Sequence, residues 1–126
     1  MLNGILPALV TPFKDNKIDF KALEVLIQKH LAAGVSGFVI LGTTAETPAL
    51  TSAEKEEILK FATAVINKKA KVIVGVGSNS TETTLKNIET AVKYSPDMLL
   101  VVTPYYNKPN LSGMIAHYQL AAKAGL

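Results

Sequence analysis

Four largely apolar runs, Ile5–Val10, Gly37–Leu41, Lys71–Val76 and Met98–Val102, recur at spacings of about 27 to 34 residues, each followed by a polar loop and a helical pattern. Continuous apolar runs suit a parallel sheet covered by helices. Two architectures answer to that order, a (β/α)8 barrel and a small doubly wound sheet. The doubly wound sheet carries its phosphate loop after the first strand. Here that loop is Thr11-Pro12-Phe13, without glycine. The fold class expected is therefore α/β, of the (β/α)8 TIM barrel family. A full barrel takes ~250 residues. The 126 residues of this chain read as its first four βα units, a half barrel: 1–126 is the N-terminal half of a single barrel domain.

Local signals place the elements. Pro7 cannot donate to a ladder, so the first run belongs at an edge or in an irregular position. Asp19 caps a helix through Ala33, with Leu23, Leu26, Ile27, His30 and Leu31 at helical spacing and Gly34 as its stop. His30 lies on that apolar stripe and reads as a packed helix residue. Thr51-x-x-Glu54 is a capping box opening a helix to about Asn67, on which Glu56, Glu57 and Lys60 read as a solvated face. Ser80 or Thr81 caps a third helix ending near Tyr94. Ser112 is expected to cap the fourth, which Gly125 stops.

With 48% apolar residues the chain can build a core. Cysteine is absent, which removes disulfides and thiolate metal sites and is compatible with the cytoplasm. No apolar run reaches the ~18 residues that span a bilayer. The opening Met1-Leu2-Asn3-Gly4 lacks the charged and apolar regions of a secretory leader. The expectation is a cytoplasmic protein with no membrane partner. Net charge is +3, and all 13 Lys or Arg positions are lysine. They are scattered along the predicted helices, which argues against a nucleic-acid surface. Without arginine, no guanidinium can clamp a carboxylate.

Every polar loop of interest follows the C-terminal end of a strand, the face on which barrel enzymes place their active sites. Gly42-Thr43-Thr44-Ala45-Glu46-Thr47-Pro48 offers backbone N–H groups and two adjacent hydroxyls, the equipment a small carboxylate needs. The same residues suit an ordinary βα turn. Thr103-Pro104-Tyr105-Tyr106-Asn107-Lys108-Pro109 follows the fourth strand. A Thr and a Tyr hydroxyl in contact can pass a proton, and an aromatic pair in a loop can equally anchor an interface. The residue types leave both open. Gly75-x-Gly77 resembles part of a nucleotide fingerprint, but the third glycine is missing. A tight turn with close backbone approach is the simpler account.

Gly42-Thr43-Thr44-x-Glu46 and the Thr103–Pro109 segment occur with Gly4, Val10-Thr11-Pro12-Phe13, Gly34-x-x-Gly37 and Gly75-x-Gly77-x-Asn79. Together these motifs resemble the dihydrodipicolinate synthases (4-hydroxy-tetrahydrodipicolinate synthases) of the N-acetylneuraminate lyase family, Schiff-base class I aldolase-like barrels. They span the whole chain in order. The two threonines and Tyr-Tyr-Asn-Lys-Pro point to the synthases rather than to the sialic-acid lyases. The resemblance implies an enzyme of diaminopimelate and lysine biosynthesis. Pyruvate, bound as a Schiff base to a lysine on the sixth strand, is condensed with aspartate semialdehyde. Thr44 would hold the pyruvate carboxylate, and Thr43 and Tyr106 would be the catalytic members of a proton relay. Tyr106 would reach into the neighbouring subunit's site in a homo-oligomer. Asn79 and Tyr105 would belong to an allosteric lysine site at the dimer interface. The resemblance calls for no cofactor and no metal.

Some features depart from that pattern. Position 45 is Ala where the family usually has Gly, and a Cβ restricts positive φ and close approach. The sequence stops before a fifth strand. The Schiff-base lysine, a third relay tyrosine and the arginine that meets the second substrate would lie beyond Leu126. No lysine here matches the Schiff-base position, and Lys108 should be solvated, so the 126-residue chain alone is expected to be inactive. Ser52 and Lys55 stand where lysine-inhibited relatives commonly carry histidines, so feedback by lysine is expected to be weak or absent. The alternatives are a non-catalytic half-barrel that pairs with itself or another chain, and another pyruvate-dependent aldolase of the same family.

Overall fold

The computed structural model describes residues 3–125. Met1 and Leu2, on which the leader reading partly rests, and Leu126 lie outside the described residues. A small hairpin comes first, β1 (Phe13–Lys14) and β2 (Lys17–Ile18). Then follow α1 (Phe20–Ala32), β3 (Gly37–Ile40), α2 (Ser52–Ile66), β4 (Lys71–Gly75), α3 (Thr81–Val92), β5 (Met98–Leu100) and α4 (Leu111–Ala124). Strands β3, β4 and β5 are parallel and adjacent in chain order, with Phe38 opposite Val72, Ile40 opposite Val74 and Ile73 opposite Met98.

The first apolar run lies beside β3 without becoming a full strand. Ala8 forms a single bridge to Val39; the Val39 N–H donates to the Pro7 carbonyl and the Leu9 N–H to the Val39 carbonyl. Pro7 has no N–H to extend the ladder, as its position predicts. The β1–β2 hairpin was not expected. Asp15 and Asn16, at φ 52° and 59°, form its two-residue turn, in the left-handed conformation such hairpins need.

Three helices start where the sequence places them. Asp19 accepts from the Ala22 N–H, Thr51 and Glu54 close the capping box, and Ser80 accepts from the Thr83 N–H. The fourth does not. Its N-cap is Asn110, whose Oδ1 accepts from the Gly113 N–H at 2.9 Å, and Ser112 donates its own hydroxyl to that same oxygen. Asn caps as well as Ser does, and Asn110 already has the extended backbone a cap requires. His30 packs as expected, donating from Nδ1 to the Leu26 carbonyl and meeting Phe38 edge-on. Glu56, expected on a solvated face, accepts at 3.1 Å from the hydroxyl of Tyr94, which lies just beyond the end of α3.

The strands bury one face. Phe38, Ile40, Val72, Val74 and Val76 share a core with Leu23 and Ile27 of α1, Ile58 and Leu59 of α2, and Ile88 of α3. Each such side chain removed from water contributes about 1.5–3 kcal/mol. The opposite face is only partly covered: Ile73 on it is buried, but Val10, Met98, Leu100 and Val102 are 47%, 44%, 47% and 44% exposed. At the amino end of the sheet, Asp97 accepts from Lys71 Nζ at 2.6 Å and from the Val72 N–H at 2.9 Å.

Candidate active site

The carboxyl ends of β3, β4 and β5 lie side by side, and their loops form one edge of the molecule. Just beyond β3, Leu41 turns into the left-handed region at φ 55°. A 3-10 turn over Thr43–Ala45 follows, in which the Ala45 N–H donates to the Gly42 carbonyl and the Glu46 N–H to the Thr43 carbonyl, both at 3.1 Å. Thr43 and Thr44 are exposed. Their amides are the first two of the turn and have no backbone acceptor among the described residues. Two hydroxyls and two N–H groups are thus presented at a strand end, a donor set for a small anion.

Ala45 is the buried member of this turn. It has right-handed geometry, so its Cβ meets none of the positive-φ strain that its departure from Gly raised. Its carbonyl accepts from the buried Thr11 hydroxyl at 2.9 Å.

The loop after β4 runs close to its neighbours. A Cβ at Gly75 would stand 2.1 Å from the Leu41 carbonyl oxygen, and one at Gly77 2.5 Å from the Val102 nitrogen. Close backbone approach explains both glycines. From α3, buried Thr84 accepts from the Ser78 N–H and donates to the Ser80 carbonyl, both at 3.0 Å, and Asn87 donates to the Val76 carbonyl. Asn107 Nδ2 donates to the Asn79 carbonyl at 2.9 Å and joins this loop to the one after β5.

A cleft of about 330 Å³ opens between these loops, with Thr43, Thr47, Gly77, Val102 and Tyr105 on its walls. Thr43 and Tyr105 are therefore brought to one place. Thr44 sits on the same turn, beside the cleft rather than lining it. Tyr106 stands apart: it is 91% exposed, its φ is 70°, and it has no hydrogen-bond partner among the described residues. Within one chain, Thr43 and Tyr106 are not assembled into a relay. Tyr105 also borders a smaller cleft with Lys55, Ser78 and Thr83, which Asn79 does not line. Lys108 is exposed, as expected.

Sequence reasoning names Thr11 only as part of a motif and assigns no role to it or to Thr84. Both are buried hydroxyls, Thr11 just after the first apolar run and Thr84 on the inner side of α3. Among the described residues no cluster of three or more His, Asp or Glu is placed to hold a metal. No described helix is long and apolar enough to cross a membrane.

A parallel βα array with helices on one face and hydroxyl-bearing loops along its carboxyl edge is half of a (β/α)8 barrel. The chain belongs to the dihydrodipicolinate synthetase family, whose sequence profile matches residues 1–126. A 4-hydroxy-tetrahydrodipicolinate synthase of Bdellovibrio bacteriovorus is 46% identical over 96% of this chain and 41% of its own length. The solved 4-hydroxy-tetrahydrodipicolinate synthase of Methylacidiphilum fumariolicum SolV superposes with a TM-score of 0.96 at 34% identity, over 98% of this chain and 41% of that one. A dihydrodipicolinate synthase of Acinetobacter baumannii, solved in complex with pyruvate, gives 0.95 at 38% identity, over 98% of this chain and 43% of that one. The chain thus spans about two fifths of the length of the relatives it matches.

Proposed function

We propose that this chain is the N-terminal half of a single barrel domain of a 4-hydroxy-tetrahydrodipicolinate synthase, which condenses pyruvate, held as a Schiff base, with aspartate semialdehyde. The observation that carries this reading is the Thr43–Ala45 turn, which presents two hydroxyls and two free amides at the carboxyl edge of the sheet. That donor set suits the pyruvate carboxylate, and a relative of the same fold is solved with pyruvate. Thr44 holds the carboxylate through its hydroxyl and N–H. Thr43, on the wall of the cleft, relays a proton.

Tyr106 completes the relay from a second subunit. Its near-complete exposure and its absence from the walls of its own chain's cleft support a role across a homo-oligomer interface. The Schiff-base lysine comes from the remaining part of the barrel, whose strands cover the open face around Met98, Leu100 and Val102. The reading places the protein in the cytoplasm and gives lysine little hold, since Lys55 puts an ammonium beside Tyr105 in the small cleft.

The test is an assay of the full-length protein containing this segment, with pyruvate and aspartate semialdehyde in one arm and N-acetylneuraminate in the other. Turnover of the first pair is expected. Activity on the sugar alone would overturn the reading.

A further inference from the structure

The turn that presents Thr43 and Thr44 has few attachments. Thr43, Thr44 and Glu46 are exposed, and Glu46 is left-handed at φ 55°. Besides the turn's own two hydrogen bonds, its far end is held by the Ala49 N–H, which donates to the Glu46 carbonyl at 2.9 Å. The attachment to a distant part of the chain is made by Ala45, through its buried Cβ and through a carbonyl that accepts from Thr11 Oγ1 at 2.9 Å. Thr11 lies 34 residues earlier in the chain. It is itself held on both sides. The Leu9 N–H donates to the Val39 carbonyl at 3.0 Å, and the Pro12 carbonyl accepts from the Asp19 N–H at 2.8 Å, at the start of α1.

We propose that Thr11 is a positioning residue for the pyruvate site: its hydroxyl clamps the Ala45 carbonyl and so fixes the 3-10 turn that aims Thr43 and Thr44. The assignment of pyruvate to that turn rests on the function proposed above; the clamp itself does not. The chemistry is specific to a hydroxyl. Thr11 is buried, and its Oγ1 is the described side-chain donor to the Ala45 oxygen. Valine keeps the shape of threonine and removes the donor, leaving a carbonyl without its partner in a site closed to water. Serine keeps the donor and removes the methyl. A turn with a loose end presents its donors over a range of positions, and a small misplacement of binding groups is enough to cost a large part of the rate.

The experiment compares full-length wild-type protein with Thr11→Val and Thr11→Ser. Amide hydrogen exchange reads the clamp without reference to catalysis. In Thr11→Val the Ala45 and Glu46 amides should exchange at least tenfold faster, with β3 and α2 unchanged, and in Thr11→Ser they should stay within about threefold of wild type. Steady-state kinetics read the consequence: kcat/KM for pyruvate should fall tenfold or more in Thr11→Val and recover in Thr11→Ser. Unchanged exchange at residues 45 and 46 in Thr11→Val overturns the clamp. If that variant does not fold, Thr11→Ser decides alone, since faster exchange or a tenfold kinetic loss in it would assign the effect to the methyl and overturn the proposal. Altered exchange with unchanged pyruvate kinetics would also overturn the positioning role. A wild-type protein inert toward pyruvate would count against the proposed function, while the exchange data would still accept or reject the clamp.

Discussion

Leu41 and Gly75 meet backbone to backbone: a Cβ on Gly75 would stand 2.1 Å from the Leu41 carbonyl oxygen. The contact arises because Leu41 turns left-handed at the end of β3 and directs its backbone at β4. An obstacle made of main chain cannot rotate aside, as the tip of a side chain can. Gly75→Ala should therefore destabilise the full-length protein by about 3 kcal/mol, the upper end of ordinary overpacking. Gly34→Ala is the contrast. It has open space around it and a φ of 76°, so the cost is that of the left-handed conformation alone, about 1 kcal/mol. Urea unfolding of the two variants checks the order.

Thr44 and Tyr106 should fail differently. On the proposed function, Thr44→Val removes one hydrogen bond to the pyruvate carboxylate and should weaken pyruvate binding by about 1.5–3 kcal/mol. Tyr106→Phe should lower turnover by about 10²–10⁴. Stability should hardly change, because the Tyr106 side chain is exposed and without a described partner. Turnover intact in Tyr106→Phe would remove it from the relay.

Lysine at millimolar concentration should leave the full-length enzyme largely uninhibited. The small cleft bordered by Tyr105 carries the Lys55 ammonium, a poor neighbour for a ligand with two ammonium groups. An inhibition curve saturating at low activity would contradict this.

Asp97 supplies a pH-dependent contribution. The hydrogen bond from Lys71, and then that from the Val72 N–H, hold its carboxyl below the usual carboxylate range. Because the folded pKa is the lower one, the stabilisation is present above the ordinary carboxylate pKa and is lost as pH falls through the folded value. Asp97 is solvent-exposed, so the term is small, about 1 kcal/mol. Asp97→Asn should be less stable than wild type near neutral pH, and the difference should shrink as the pH falls below the ordinary carboxylate range. A constant difference across that range would locate the effect elsewhere.

The 126-residue segment, expressed alone, should associate. Its uncovered sheet face carries Val10, Met98, Leu100 and Val102, and the sheet ends at β5 on an open edge among the described strands. Sedimentation should find dimers or larger species. A compact, stable monomer would contradict the expectation.

Legibility differed between local and distant features. The βα order, three of the four helix caps and the packing of His30 follow from neighbours within a turn or two, and the residue pattern carries them. Asp15-Asn16 was a readable hairpin signal, passed over because the flanking pairs are so short. Ser112 lost the cap to Asn110 because two good capping residues stand two apart and backbone geometry decides between them. The Gly-Thr-Thr turn was visible as a donor set, but not its attachment, since Thr11 bonds to it across 34 residues. Nor could spacing tell that Tyr105 enters the cleft while Tyr106 leaves it. That division follows from the left-handed backbone at Tyr106 and Lys108.

The most direct measurement is reductive trapping. Full-length protein incubated with pyruvate and borohydride, then digested and mapped by mass, should carry one pyruvyl adduct on a lysine beyond residue 126, with none on the 13 lysines of this segment. An adduct at stoichiometric yield on any of those 13, or no adduct at all, would contradict the account.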